Sequence, residues 1–74
     1  MDKQYEYRFG QNLKQLRERC GFTQEQVSAK LQVRGCDITR SALAKMEVGQ
    51  RHIYPDEIKL LAEIYRAPLS ALFP

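Results

Sequence analysis

Apolar residues recur along the chain at helical intervals, in four stripes and a short tail. Phe9, Leu13, Leu16 and Cys20 are spaced four, three and four apart, which puts them on one face of a helix. Lys14, Gln15, Glu18 and Arg19 fall on its wet side. This first helix is expected from Tyr5 or Arg8 to Cys20, ending where Gly21 can take a left-handed conformation. Thr23 opens a second helix, because Thr23 and Gln26 have the spacing of a capping box. Val27 and Leu31 face inward there, and the small Ser28 and Ala29 would let another helix come close. Thr39 is a good N-cap for a third helix, with Ala42, Leu43 and Met46 as its apolar seam and Arg40, Ser41, Ala44 and Lys45 turned away. Pro55 and Asp56 start a fourth, whose acid suits the positive end of the helix dipole. Its buried stripe is Ile58, Leu61, Ala62 and Tyr65. Pro68 to Phe73 reads as a final short helical turn, with Leu69, Leu72 and Phe73 closing the core. Four glycines and three prolines divide the chain into these pieces, and no β alternation or internal repeat interrupts them. The pattern predicts an all-α bundle of five short helices in a single domain, residues 1–74.

Between the second and third stripes lies QVRGCD, residues 32–37. It is too polar and too close to Gly35 to extend either helix. Arg34 and Asp37 sit on this stretch, Asp37 just before the Thr39 cap. It is either a passive surface insertion, which costs little because loop-closure entropy grows slowly with length, or a working loop whose Arg34 grips a phosphate or a partner.

At 74 residues the core must be thin, since a chain of this size buries only about 60% of its unfolded surface. No staple is evident. Cys20 and Cys36 form no CxxC pair, and His52 is the single histidine, so a four-ligand zinc site has no donor set. Cys20 is expected to be a small buried hydrophobe and Cys36 a loop thiol. No apolar run approaches the ~18 residues of a membrane span, and the polar start MDKQYEYRFG lacks a signal-peptide stretch. The chain reads as cytoplasmic, with its thiols reduced. Its net charge is +3 and its pI about 9.1. The positive excess lies in the first two thirds, while residues 55–74 are slightly acidic, a distribution that suits a polyanionic partner.

The runs LKQLRERCGFTQEQVSAKL and ITRSALAKMEVGQR, the helix from Pro55 to Arg66 and the closing LSALF resemble the Cro/phage-repressor-like (XRE-type) helix-turn-helix DNA-binding domains. The likeness extends from about Phe9 to Phe73. Its marks are LR followed by a glycine and TQ on entering helix two, and Met46-Glu47-Val48-Gly49 on leaving helix three. The resemblance implies a lambda-repressor-like bundle whose helix-turn-helix unit spans about 23–47, with helix three in the major groove and helix two across the phosphate backbone. It implies base contacts from Arg40, Ser41 and Lys45, the two cations being able to donate to guanine O6 and N7. It implies phosphate contacts from Gln24, Arg34, Thr39, Gln50, Arg51 and His52, and an ion pair between Arg17 and Glu47 tying helix one to the end of helix three. The chain departs from the family in its lengthened turn between helices two and three, where the glycine is displaced to Gly35.

These observations point to a sequence-specific regulator of transcription, a repressor by preference, acting on double-stranded DNA without a cofactor or metal. Such domains bind as homodimers on near-palindromic sites. Tyr65, Leu69, Leu72 and Phe73 are either the dimer surface or simply core. The competing reading is a protein-interaction module on the same scaffold, such as an antitoxin-like partner of a toxin. An enzyme is disfavoured, for no nucleophile, base and orienting group fall into a grouping with a pocket.

Overall fold

The computed structural model describes residues 3–74. Four α-helices follow in order: α1, Lys3–Arg19; α2, Gln24–Val33; α3, Arg40–Glu47; and α4, Pro55–Tyr65. A single 3-10 turn, Leu69–Ala71, takes the place of the expected fifth helix. Among the described residues there is no strand. Helix α3 packs against both α1 and α2, α4 packs against α1 and α2, and the 3-10 turn closes onto α4. The body measures 31 × 22 × 20 Å.

Each helix contributes one stripe to a common core. Leu13, Val27, Leu31, Leu43, Met46, Leu61 and Leu72 are fully enclosed, flanked by Phe9, Leu16, Ile64 and Tyr65. In α4 the buried residues are Glu57, Leu61, Ala62, Ile64 and Tyr65, whereas Ile58 of the expected stripe is only partly covered. The tail is thinner than its apolar content suggests. Leu72 is enclosed and its carbonyl accepts from Asn12 Nδ2 at 3.1 Å. Leu69 and Phe73 stay about half exposed, the Phe73 ring standing edge-on to Phe9 with centroids 4.9 Å apart.

Both sequence-encoded caps are formed. Gln26 N–H donates to Thr23 Oγ1 at 3.1 Å, while Thr23 N–H donates to Gln26 Oε1 at 2.8 Å. Ala42 N–H donates to Thr39 Oγ1 at 3.1 Å. All four helices end alike. The amides of Phe22, Cys36, Gln50 and Ala67 reach back to the carbonyls of Arg17, Leu31, Lys45 and Ala62, the six-to-one bond of a Schellman ending. The preceding residue is left-handed each time. It is Gly21, Gly35 or Gly49 in three helices, but Arg66, at φ 52°, in α4.

Several expectations are corrected. Helix α1 starts at Lys3, before Tyr5 or Arg8, and runs straight through Gly10. That glycine is not punctuation. A Cβ there would lie 2.3 Å from the Met46 carbonyl oxygen, so its missing side chain lets α1 lie against the end of α3. Cys20 is exposed rather than buried, because the helix closes at Arg19; its Sγ donates to the Tyr65 carbonyl at 3.6 Å. Ala29 is exposed, and no close helix approach uses it. The gap between α2 and α3 is shorter and firmer than its composition suggests. Gln32 and Val33 belong to α2. Ile38 is 1% exposed, and Ser28 Oγ donates to its carbonyl at 2.6 Å. The connection is therefore pinned into the core just before the α3 cap.

Candidate nucleic-acid interface

Helix α3 has two unlike sides. Leu43, Met46 and Glu47 are buried. On the side away from them, Ser41 and Lys45 are four residues apart, with Val48 three further on, and all three are exposed. This spacing makes one outward ridge. Arg40, at the first helical position, is exposed on the flank nearer α2. It borders an open depression together with Lys14 of α1 and with Thr23 and Gln24 at the start of α2. Among the described residues, Lys14, Arg40, Ser41 and Lys45 have no side-chain hydrogen-bond or ion-pair partner.

The buried side of α3 ends in a polar bracket. Arg17 Nε donates to Glu47 Oε2 at 2.7 Å, and Arg17 Nη2 to Glu47 Oε1 at 3.1 Å. The fork is completed by Arg17 Nη1, which donates to the Phe22 carbonyl at 2.9 Å. Gln24 Nε2 donates to Glu47 Oε1 at 3.0 Å, and Gln11 Nε2 to the Glu47 backbone carbonyl at 2.9 Å. One carboxylate thus gathers α1, the α1–α2 turn and the first residue of α2 around the last turn of α3. The bidentate bond to Glu47 holds the Arg17 guanidinium pKa above its ordinary value, against the opposing effect of burial. Nearby, burial pushes the Tyr65 phenol well above its usual range, and the Glu47 charge adds to that.

The segment after α3 is likewise built. Gly49 is left-handed, and a Cβ on it would meet Tyr7 backbone atoms at 2.8 Å, so α1 lies directly over this turn. Arg51 donates to both Glu57 oxygens, at 2.9 and 3.0 Å, and to the His52 carbonyl. Burial alone would raise the Glu57 pKa. The Arg51 bonds, the Tyr54 N–H and the nearby positive charge outweigh it and leave the carboxyl below its usual range. His52 Nδ1 lies 3.3 Å from Glu6 Oε1, and its ring meets Tyr54 edge-on. Gln50 is exposed, with its backbone N–H on the Lys45 carbonyl. Arg34 caps α2, and its Nη1 returns to the Lys30 carbonyl at 3.0 Å.

Arg40, Ser41 and Lys45 therefore share one exposed helix, with Thr39 at its start and Gln24 beside it. Gln50, Arg51 and His52 cluster beyond its far end. Arg34 stands apart, on the other end of α2. Lys14, Val48 and Gln11 were not distinguished by sequence. Lys14 reads as one wet residue among four, and Gln11 meets Glu47 across 36 positions. Among the described residues no three His, Cys, Asp or Glu side chains gather as metal ligands, and no helix is long and apolar enough to cross a membrane.

A helix-turn-helix domain family matches residues 8–72. The chain belongs to that family. In this helix-turn-helix domain, residues 34–39 connect α2 to α3. A similar solved structure is the crystal structure of the DNA-binding domain of BldD, 26% identical, with a TM-score of 0.85 over 100% of both chains. No curated protein matches the chain.

Proposed function

We propose that this domain binds double-stranded DNA sequence-specifically and regulates transcription, with α3 in the major groove. The observation that carries the reading is the unpartnered polar ridge of α3 on a helix whose opposite side is locked by the Arg17–Glu47 bracket. A ridge of this kind offers hydrogen-bonding and cationic groups to base edges without first breaking internal bonds. The likeness to the DNA-binding domain of BldD points the same way.

In this reading Lys45 and Arg40 donate to guanine O6 and N7, and Ser41 donates or accepts at a neighbouring base. Gln24 keeps one amide hydrogen on Glu47 and offers the other to a phosphate. Thr39, Gln50 and His52 border the same side and serve the backbone. Arg51 reaches a phosphate only while sharing its guanidinium with Glu57, and Arg34 only if the duplex extends past α2. Two copies bind a near-palindromic site in the cytoplasm, as a repressor, and the half-exposed Leu69 and Phe73 give the homodimer an apolar contact.

Selection from random duplex DNA, with wild type, Arg40→Ala and Lys45→Ala, tests this. The expected result is a single preferred motif, relaxed at one base pair in each variant, with affinity that falls steeply as salt rises. A protein that enriches no motif and binds duplexes no better than a generic polycation would refute it.

A further inference from the structure

A second cationic surface lies where neither α3 nor the start of α2 contributes. Lys30 and Arg34 of α2 and Arg66 after α4 surround a depression between the ends of α1, α2 and α4. Phe22 and Ile64 supply its apolar part, and Cys20 and Glu63 complete it. Lys30 Nζ stands 4.7 Å over the Phe22 ring, and Arg34 is steadied by its bond to the Lys30 carbonyl. Three cations face one carboxylate here.

Arg66 is the informative member. It occupies the left-handed position that the other three helices give to glycine. A residue with a Cβ is disfavoured there, so at this one helix end the chain keeps a guanidinium against the local backbone preference. Such an outlier is a reason to look for a role, and the side chain it retains borders the same depression as Lys30 and Arg34.

We propose that this surface docks an acidic segment of a partner protein. The charge is complementary to carboxylates, which three separated cations can meet along an extended chain. Phe22 and Ile64 give an apolar side chain of that segment a place to rest, which a phosphodiester backbone would not use. Because α3 takes no part in it, the surface stays open while a duplex occupies the ridge. The proposal does not depend on the DNA-binding reading.

The test is an amide chemical-shift titration of the whole chain with a short synthetic peptide of alternating glutamate and leucine, in parallel with a short duplex DNA. The expected peptide shifts centre on Phe22, Lys30, Arg34, Ile64 and Arg66. Lys30→Glu should weaken peptide binding about tenfold and leave duplex binding through α3 unchanged. Arg66→Gly separates docking from stability: it should raise the melting temperature, because glycine suits that conformation, yet weaken peptide binding about fivefold. The proposal is overturned if the peptide shifts Arg40, Ser41 and Lys45 instead, or shifts nothing. It is equally overturned if the duplex perturbs these same amides, which would make the surface a second nucleic-acid contact, or if Arg66→Gly stabilises the chain with binding intact.

Discussion

The inner and outer sides of α3 place charged groups under opposite conditions. On the inner side Glu47 is 2% exposed and receives four donors, from Arg17, Gln24 and Gln11, counting its backbone carbonyl. On the outer side Lys45 and Arg40 have no side-chain partner among the described residues. A buried carboxylate must be satisfied from within, so its bonds fix where the helix sits. In the proposed reading, the exposed cations of the ridge are left for a duplex. The bracket sets the orientation of α3, and the ridge uses it.

Removing the inner carboxylate should have the largest effect. Glu47→Ala leaves the Arg17 guanidinium buried without its partner, at a cost of about 3–5 kcal/mol. Chemical denaturation should show that loss, and an unchanged midpoint would mean the bracket holds nothing. Gly10→Ala should cost about 1–3 kcal/mol. Alanine favours helices, so a rise in melting temperature would show that α1 and α3 do not lie as close as the 2.3 Å approach implies. Lys45→Ala should do the reverse of Glu47→Ala. Its unfolding free energy should stay within about 0.5 kcal/mol of wild type, while affinity for the selected duplex falls by about 1–3 kcal/mol. If both variants lowered stability alike, the division between the two sides of α3 would fail.

Acid titration probes the intermediate case, the Arg51–Glu57 pair, in which Glu57 is buried and Arg51 partly exposed. Glu57 has a carboxyl pKa lowered by folding. Its contribution is therefore present above the unfolded value, near pH 4.3, and is lost as pH falls through the lower folded value. The loss should be on the order of 1 kcal/mol, and Arg51→Ala should remove that part of the acid dependence. The smallest effect is expected from Tyr65→Phe. Among the described residues the Tyr65 hydroxyl is the buried side-chain polar atom without a partner, so deleting it gives up no internal hydrogen bond and should be neutral or slightly stabilising. A loss above about 1 kcal/mol would reveal a bond to that oxygen.

How much was legible follows from the range of each interaction. The Thr23 and Thr39 caps, the Gly21 ending and the inward Phe9, Leu13, Leu16, Leu43 and Met46 depend on neighbours within a turn or two, and local spacing displays them. Gly10 carries no mark of its role in local spacing because its reason is the Met46 carbonyl, on another helix. The QVRGCD stretch looks loose because Ile38, the residue that pins it, lies outside both apolar stripes, and because Ser28 reads by its size before its hydroxyl. Leu69 and Phe73 looked like core because hydropathy cannot tell that Leu72 alone fills the space. At the candidate site, the exposed residues of α3 could be named from the sequence. The family resemblance implied that Arg17 is occupied by Glu47, but not that Arg51 is held by Glu57, nor that Lys14, Arg40 and Lys45 are bare among the described residues.

By itself the sequence determined where α2, α3 and α4 begin and which side of each helix is mainly apolar, since those depend on bonds and contacts a few residues long. Beyond the Arg17–Glu47 pair that the resemblance implied, the tertiary structure decided how α3 is held, through Gln24 and Gln11, and what it leaves bare. Burying Glu47 without a partner would be prohibitive, and its partners come from positions 11, 17 and 24, brought together only when three helices close on one another.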